Sequence, residues 1–379
     1  DSKLLATTPR LYADLFNEQA NVTAIHAGLE CGIIGQRVPG MDMISFGPRI
    51  EGAHSPDERV YVKSVQKSWK FLKSVLAMDR VAGLEVPFTG QLHKYDEEWL
   101  LRLLPEDGAF VVTTIPGTAA RLQQDPRFGL ASTSAAGRHD ALKFVQDAFR
   151  AVNRLNSHLG RAAVTALEIH SAPVAVDGYS SAAALADSLA EISDWDWHGA
   201  GVVLEHCDTP VASRPPAKGF LPLEEEIEAV QLANRRSGRV VRIAVNWGRS
   251  VIEQRQADAA VAHLRILLDA GLLGGLVLSG CAAVDTRFGR AWADVHVPPA
   301  PRTTGSDAIL RALDQEVLDP ASLMTYDRIQ EALETAGTDP ATGFRGIKVA
   351  AVPNATVEQR IAAIARTLDL AHNREHLPD

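Results

Sequence analysis

The run Ala200–Asp208, AGVVLEHCD, constrains the fold of this chain more than any other stretch. Five apolar residues without alternation, ending in Glu205, His206, Cys207 and Asp208, have the pattern of a parallel strand covered on both faces that opens at its C-terminal end into a pocket. Two other runs end alike: VAGLEVPF at 81–88 and AVTALEIHSAP at 163–173. Each carries a Leu-Glu pair at its end, Leu84-Glu85, Leu167-Glu168 and Leu204-Glu205. Side chains alternate along a strand, so if each Leu faces an outer helix layer, each Glu faces inward. Three inward carboxylates at neighbouring strand ends make a site.

The rest of the chain supplies the frame for such strands. Further apolar runs fall at 109–117, 240–248, 273–281 and 343–353. Helical spacing is found near 95–104, 137–158, 179–193, 222–236, 250–270, 326–335 and 356–372, with a short helix near 305–314. Alternating strands and helices predict a parallel sheet covered by helices. Seven strands are one short of a (β/α)8 TIM barrel, so the predicted fold class is α/β with the first βα unit still to be found. Met41–Pro48 followed by a helix over 60–76 can supply it. The competing reading is an N-terminal appendage on an incomplete barrel.

Composition breaks at the same place. Residues 1–77 hold five Lys and four Arg, whereas residues 78–379 hold four Lys and 25 Arg. This predicts two segments of different origin, 1–77 and 78–379. The formal net charge of -9 argues against nucleic acid or an anionic membrane as a partner. Three scattered cysteines, with no CxxC, fit a reducing cytoplasm. No apolar run reaches the ~18–20 residues needed to span a bilayer, and no signal-peptide pattern opens the chain. With neither G-x-G-x-x-G nor a Walker A motif, no nucleotide cofactor is expected. The expectation is a cytoplasmic protein acting on a small molecule, its oligomeric state open.

Two resemblances follow from particular motifs. The pieces IHAGLECG, MDMISFGP and EGAHSPDERV in the first 77 residues resemble the C-terminal end of aminoacyl-histidine dipeptidases, a di-zinc metallopeptidase family. That resemblance implies a zinc-ligand role for the His of HSPDE, which is His54 here. The family's other ligands belong to upstream motifs that this sequence lacks, and one imidazole cannot hold two zinc ions. Dipeptidase activity is therefore the weakest reading. Residues from about 80 to 379, through GLEVPF, VVTTIPGT, ALEIHSAP, LEHCD, VNWGRS and GIKVAAVP, resemble a family of uncharacterised bacterial proteins with a xylose-isomerase-like TIM barrel. That resemblance implies an isomerase- or epimerase-like scaffold, with a carbohydrate-like substrate and carboxylates around one divalent ion.

In a barrel of this kind the site lies at the C-terminal strand ends. Glu168, Glu205 and Lys348 are the expected catalytic groups: the carboxylates move a proton, while Lys348 serves as electrophile or, with a depressed pKa, as a Schiff-base amine. Glu85, His170, Asn246, Trp247, Arg249 and His296 are expected to bind substrate. A divalent ion (Mn, Zn or Co), if present, falls to Glu168 and Glu205. His206 joins them only if the strand has ended before it; otherwise it faces the helices. Asp208 reads as a loop cap, Cys207 and Cys281 as small buried residues, and Gly274-Gly275 as a helix stop. Two functions compete, a proton-transferring isomerase or epimerase and a non-catalytic binding barrel.

Overall fold

The computed structural model describes residues 81–372 apart from 94–95, 176–177, 212–213, 303–313, 315, 340–342, 353–354 and 356; nearer the N-terminus it describes residues 13, 50–51 and 59–60. The chain divides into two compact units, residues 1–81 with 303–316 and residues 82–302 with 317–379. In the first, β1 (Ile50–Glu51) pairs antiparallel with β2 (Arg59–Val60).

The second unit is built on seven strands: β3 (Gly83–Pro87), β4 (Ala109–Thr113), β5 (Val164–Ile169), β6 (Gly201–His206), β7 (Arg242–Asn246), β8 (Leu273–Leu278) and β9 (Phe344–Ile347). They pair in strict chain order and every pair is parallel. Helices bridge successive strands: α1 (Glu97–Leu103), α2 (Ile115–Leu122), α3 (Ala135–Leu159), α4 (Ala182–Ser193), α5 (Leu223–Ser237), α6 (Trp247–Gln254), α7 (Ala259–Asp269) and α8 (Tyr326–Ala336), with α9 (Val357–His372) after β9. This is the wall of a TIM barrel. Among the described residues β3 and β9 each pair on one side only. The sheet is nevertheless curled enough for the Lys348 ammonium, one residue past β9, to stand 2.9 Å from Glu85 of β3. Met41–Pro48, the segment read as the first barrel strand, lies outside the described residues, as does His54.

Small side chains let the wall curl. Ala166, Val203 and Ala244 form a buried cluster on the inner face, with Val111 and Phe344 packed against it. Gly275 pairs with Phe344 across the β8–β9 ladder, and a Cβ there would lie 2.8 Å from the Phe344 ring. Glycine at 275 thus leaves room for the largest inner side chain. The Gly274-Gly275 pair is strand, not a helix stop; that part falls to Gly271, in the left-handed region at φ +67°.

Two further boundaries differ from the sequence reading. The 109–117 run ends as a strand at Thr113, because Pro116 sits in the first turn of α2, where its missing N–H costs nothing. The 250–270 helix is two helices, α6 beginning directly after β7 and stopping at Arg255, which has φ +56°. Asn246 makes the abrupt strand-to-helix turn possible: its side chain caps α6 by accepting from the Arg249 N–H at 3.4 Å. That turn points Arg249 back over the strand ends.

Candidate active site

Alternation along the strands sorts the polar residues as the Leu-Glu pairs require. Leu167 and Leu204 are fully buried under the helices, while Leu84, on edge strand β3, is exposed. Glu168 and Glu205 are wholly buried on the inner side. Glu205 is the hub. Its Oε2 receives the Arg249 guanidinium at 2.7 Å and lies 2.8 Å from His170 Nε2. Its Oε1 accepts from Asn246 Nδ2 at 3.0 Å, with Lys348 Nζ at 3.9 Å. Burial alone would raise its pKa, but Arg249, Lys348 and His170 together hold this carboxyl well below the usual range.

Glu168 has the opposite environment. Both its carboxyl oxygens are buried with no hydrogen-bond partner. Burial first, then the Glu205 and Glu85 charges, push its pKa well above the ordinary value, against Lys348 and Arg249. Two neighbouring buried carboxyls are thereby driven toward opposite protonation states, the arrangement that separates an acid from a fixed anion. Between them His170 spans Glu205 and Thr114, whose Oγ1 is 3.3 Å from Nδ1 and also donates to the Glu168 carbonyl at 2.9 Å. Burial lowers the His170 pKa, keeping the ring neutral.

The rim is cationic and partly open. Lys348 joins Glu85 and Glu205; burial would lower its pKa, but Glu205, Glu168 and Glu85 raise it. A raised pKa suits an ammonium electrophile and opposes the Schiff-base role, which needs a free amine. Asp294, absent from the sequence reading, is buried between Arg249 Nε at 3.1 Å and Lys218 Nζ at 3.0 Å. His296 lies 2.7 Å from Ser279 Oγ through Nδ1 and 3.6 Å from Asp294, with its backbone at φ +55°. A non-glycine residue in that region is strained, and such strain gathers where a side chain must be held in place. Its side chain is 30% exposed against 0% for Glu168 and Glu205, so the polar set grades from open rim to dry floor.

The remaining residues singled out in the sequence lie around this set. Trp247 is wholly buried at the first position of α6, directly after Asn246. Cys207 is buried against Arg249 at 3.2 Å, and burial raises its thiol pKa well above normal. Burial likewise pushes Cys281 up to about 12, which suits neither as a nucleophile. Asp208 caps its loop by accepting from the Ala217 and Lys218 backbone N–H groups at 2.6 and 3.0 Å. His206 follows Glu205 on β6 and points to the other face, among Glu226 of α5, Glu253 of α6 and His263 of α7. It cannot share an ion with Glu168 and Glu205.

A divalent ion does not fit the inner donor set. Arg249 and Lys348 place two fixed cations against Glu205, where a metal would supply charge. Among the described residues, His206, Glu253 and His263 instead bring their ligand atoms within 4.8 Å of one another, on the helix side of β6. No described helix is long and apolar enough to cross a membrane.

Residues 60–363 match the family described as Domain of unknown function (DUF4862). This chain belongs to that family. It is 32% identical over 315 residues to Uncharacterized protein STM3670 of Salmonella typhimurium, covering 82% of this chain and 93% of that one. A shorter match, 45% identical over 76 residues, is to the Cytosol non-specific dipeptidase of Escherichia coli; it covers 20% of this chain and 16% of the dipeptidase. Among solved structures, the chain is similar to a D-tagatose 3-epimerase-like protein, with TM-score 0.45 and 15% identity over 79% of this chain and 92% of that one. It is also similar to a putative xylose isomerase from Rhodospirillum rubrum, with TM-score 0.43 and 11% identity over 76% and 98%. Likeness at this distance leaves the chemistry to the residues of the site.

Proposed function

We propose that this protein is an isomerase- or epimerase-like enzyme acting on a sugar or polyhydroxy acid by proton transfer at the C-terminal face of its barrel. The observation that carries this reading is the split pair, Glu168 unpartnered and driven toward its neutral form beside Glu205 locked as an anion. A carboxyl with a raised pKa is competent as base and acid near neutrality. Ionised Glu168 takes the proton from the carbon next to the substrate carbonyl. Negative charge then develops on the carbonyl oxygen, where the Lys348 ammonium stabilises it. Protonated Glu168 returns the proton to the neighbouring carbon on the same face in an isomerisation; an epimerisation needs a second acid, opposite Glu168, to protonate the other face of the same carbon.

The remaining groups orient and exclude. Glu205 anchors Arg249, His170 and Asn246, and Arg249 in turn anchors Asp294, so substrate hydroxyls meet a rigid donor set. His296 and Lys218 stand on the exposed rim, suited to first contact with a polar ligand. A non-catalytic binding barrel is the second reading, favoured by the saturation of both Glu205 oxygens. Incubation with a panel of ketoses, aldoses and sugar acids, followed by NMR, separates the two. Conversion by the wild type that disappears in Glu168→Gln supports the enzyme; a ligand bound tightly by both and converted by neither supports the sensor.

A further inference from the structure

Behind β6, on the face away from the pocket, lies a second polar cluster that the proton-transfer chemistry does not use. His206 is wholly buried and its Nε2 has no hydrogen-bond partner, although Glu253 Oε2 stands 3.2 Å away. His263 Nε2 points at the other oxygen of the same carboxylate from 3.8 Å, too far for a hydrogen bond. Two imidazole Nε2 atoms therefore converge on one carboxylate without bonding it. Nitrogen and oxygen ligands on one tetrahedral zinc, at bond lengths of about 2.0–2.1 Å, stand about 3.3 Å apart. His206 Nε2 stands 3.2 Å from one Glu253 oxygen and His263 Nε2 3.8 Å from the other, close to that spacing, and one ligand atom from each of the three residues lies within 4.8 Å of the others.

The outer bonds are already in place. His206 Nδ1 lies 2.7 Å from Glu226 Oε2, and Ser171 Oγ donates to the other Glu226 oxygen. His263 Nδ1 lies 3.0 Å from Ser250 Oγ. Each ring is thus held through Nδ1 with Nε2 free to bind, which is how metal-binding histidines are oriented, down to the carboxylate behind one of them. Glu253 is fixed as well, accepting from the Thr209 N–H at 3.0 Å and from Gln254 Nε2 at 2.6 Å.

We propose that His206, Glu253 and His263 form a structural zinc site that staples β6 to α6 and α7. Two imidazoles and a carboxylate in a dry pocket suit Zn2+ over Mg2+ or Ca2+, which prefer more oxygen ligands. The second Glu253 oxygen or a water completes the coordination. The staple holds the two elements whose other residues make the pocket's central ion pair: β6 carries Glu205 next to His206, and α6 carries Arg249 one turn before Glu253. The rival occupant is a proton. In that state His206 is an imidazolium between Glu226 and Glu253, which outweigh its burial and push it up to about 10.

The test is elemental mass spectrometry on chain purified without chelator, together with thermal unfolding before and after chelation and zinc return. The expected result is about one zinc per chain, retained in Glu168→Gln and His54→Ala and lost in His263→Ala. Tm should fall on chelation and recover with zinc in the wild type, Glu168→Gln and His54→Ala, and should not respond in His263→Ala. Cobalt added to chelated wild type serves where His263→Ala does not fold, and should give the intense visible absorption of a tetrahedral ion. Zinc lost in His54→Ala but kept in His263→Ala overturns the proposal. So does wild-type protein that takes up no zinc and gives no tetrahedral cobalt spectrum.

Discussion

Arg249→Met removes the one cation shared by two buried carboxylates. Arg249 is 2% exposed and touches Glu205 at 2.7 Å and Asp294 at 3.1 Å. A pair of unit charges about 4 Å apart interacts by about 4 kcal/mol at an effective dielectric of about 20. Some of this is recovered, because Glu205 keeps His170, Asn246 and Lys348, and Asp294 keeps Lys218. The expected loss is about 3–5 kcal/mol at neutral pH, the range for stranding a buried charge. Urea unfolding followed by circular dichroism measures it. The sign with pH follows from the folded-state pKa values of Glu205 and Asp294, both below the usual carboxylate range. In each case burial opposes the shift and Arg249 leads the groups that lower the value. Their stabilisation is present above the unfolded pKa of about 4 and is lost as pH falls toward the folded values. The variant lacks most of it, so the gap between the proteins narrows below about pH 4. Adding Asp294→Asn to Arg249→Met should restore part of the loss. A neutral-pH loss under about 1 kcal/mol, or one constant from pH 7 to pH 3, would refute the buried-hub account.

Three further outcomes follow from the pocket. Glu168→Gln should lower turnover about 10²–10⁴-fold while ligand binding, followed calorimetrically, is retained. In the wild type the acid limb of the pH–rate profile should lie above the ordinary carboxylate range, because Glu168 must lose a proton whose pKa is raised; Lys348→Met should move that limb higher still, since the ammonium lowers it. Borohydride with a carbonyl substrate should leave the mass of the chain unchanged, because the raised pKa of Lys348 withholds the free amine an imine requires.

The seven strands were legible because parallel strands buried on both faces are written as unbroken apolar runs, as in Val164–Ile169 and Leu273–Leu278. Glu85, Glu168 and Glu205 were legible from alternation alone. The long-range partners were not. Asp294 and Lys218 sit on loops whose sequence has no period, and only folding brings them to Arg249. The 109–117 run was overextended because Ile115 and Pro116 are apolar in strand and helix alike, and the proline gives the first turn of α2 away only when read as a helix signal. Glu253 and His263 could have been noticed as an acid and an imidazole on successive helices, but nothing local ties them to His206. The register of α6 and α7 against β6 does that.

Deuterium wash-in tests the central claim most directly. The chain is incubated in D2O with each member of the sugar and sugar-acid panel, and carbon-bound deuterium is read by mass spectrometry. The account predicts one incorporated deuterium on at least one substrate with the wild type, and none with Glu168→Gln. Incorporation that persists in Glu168→Gln, or a substrate that is bound and converted without any exchange, would contradict it.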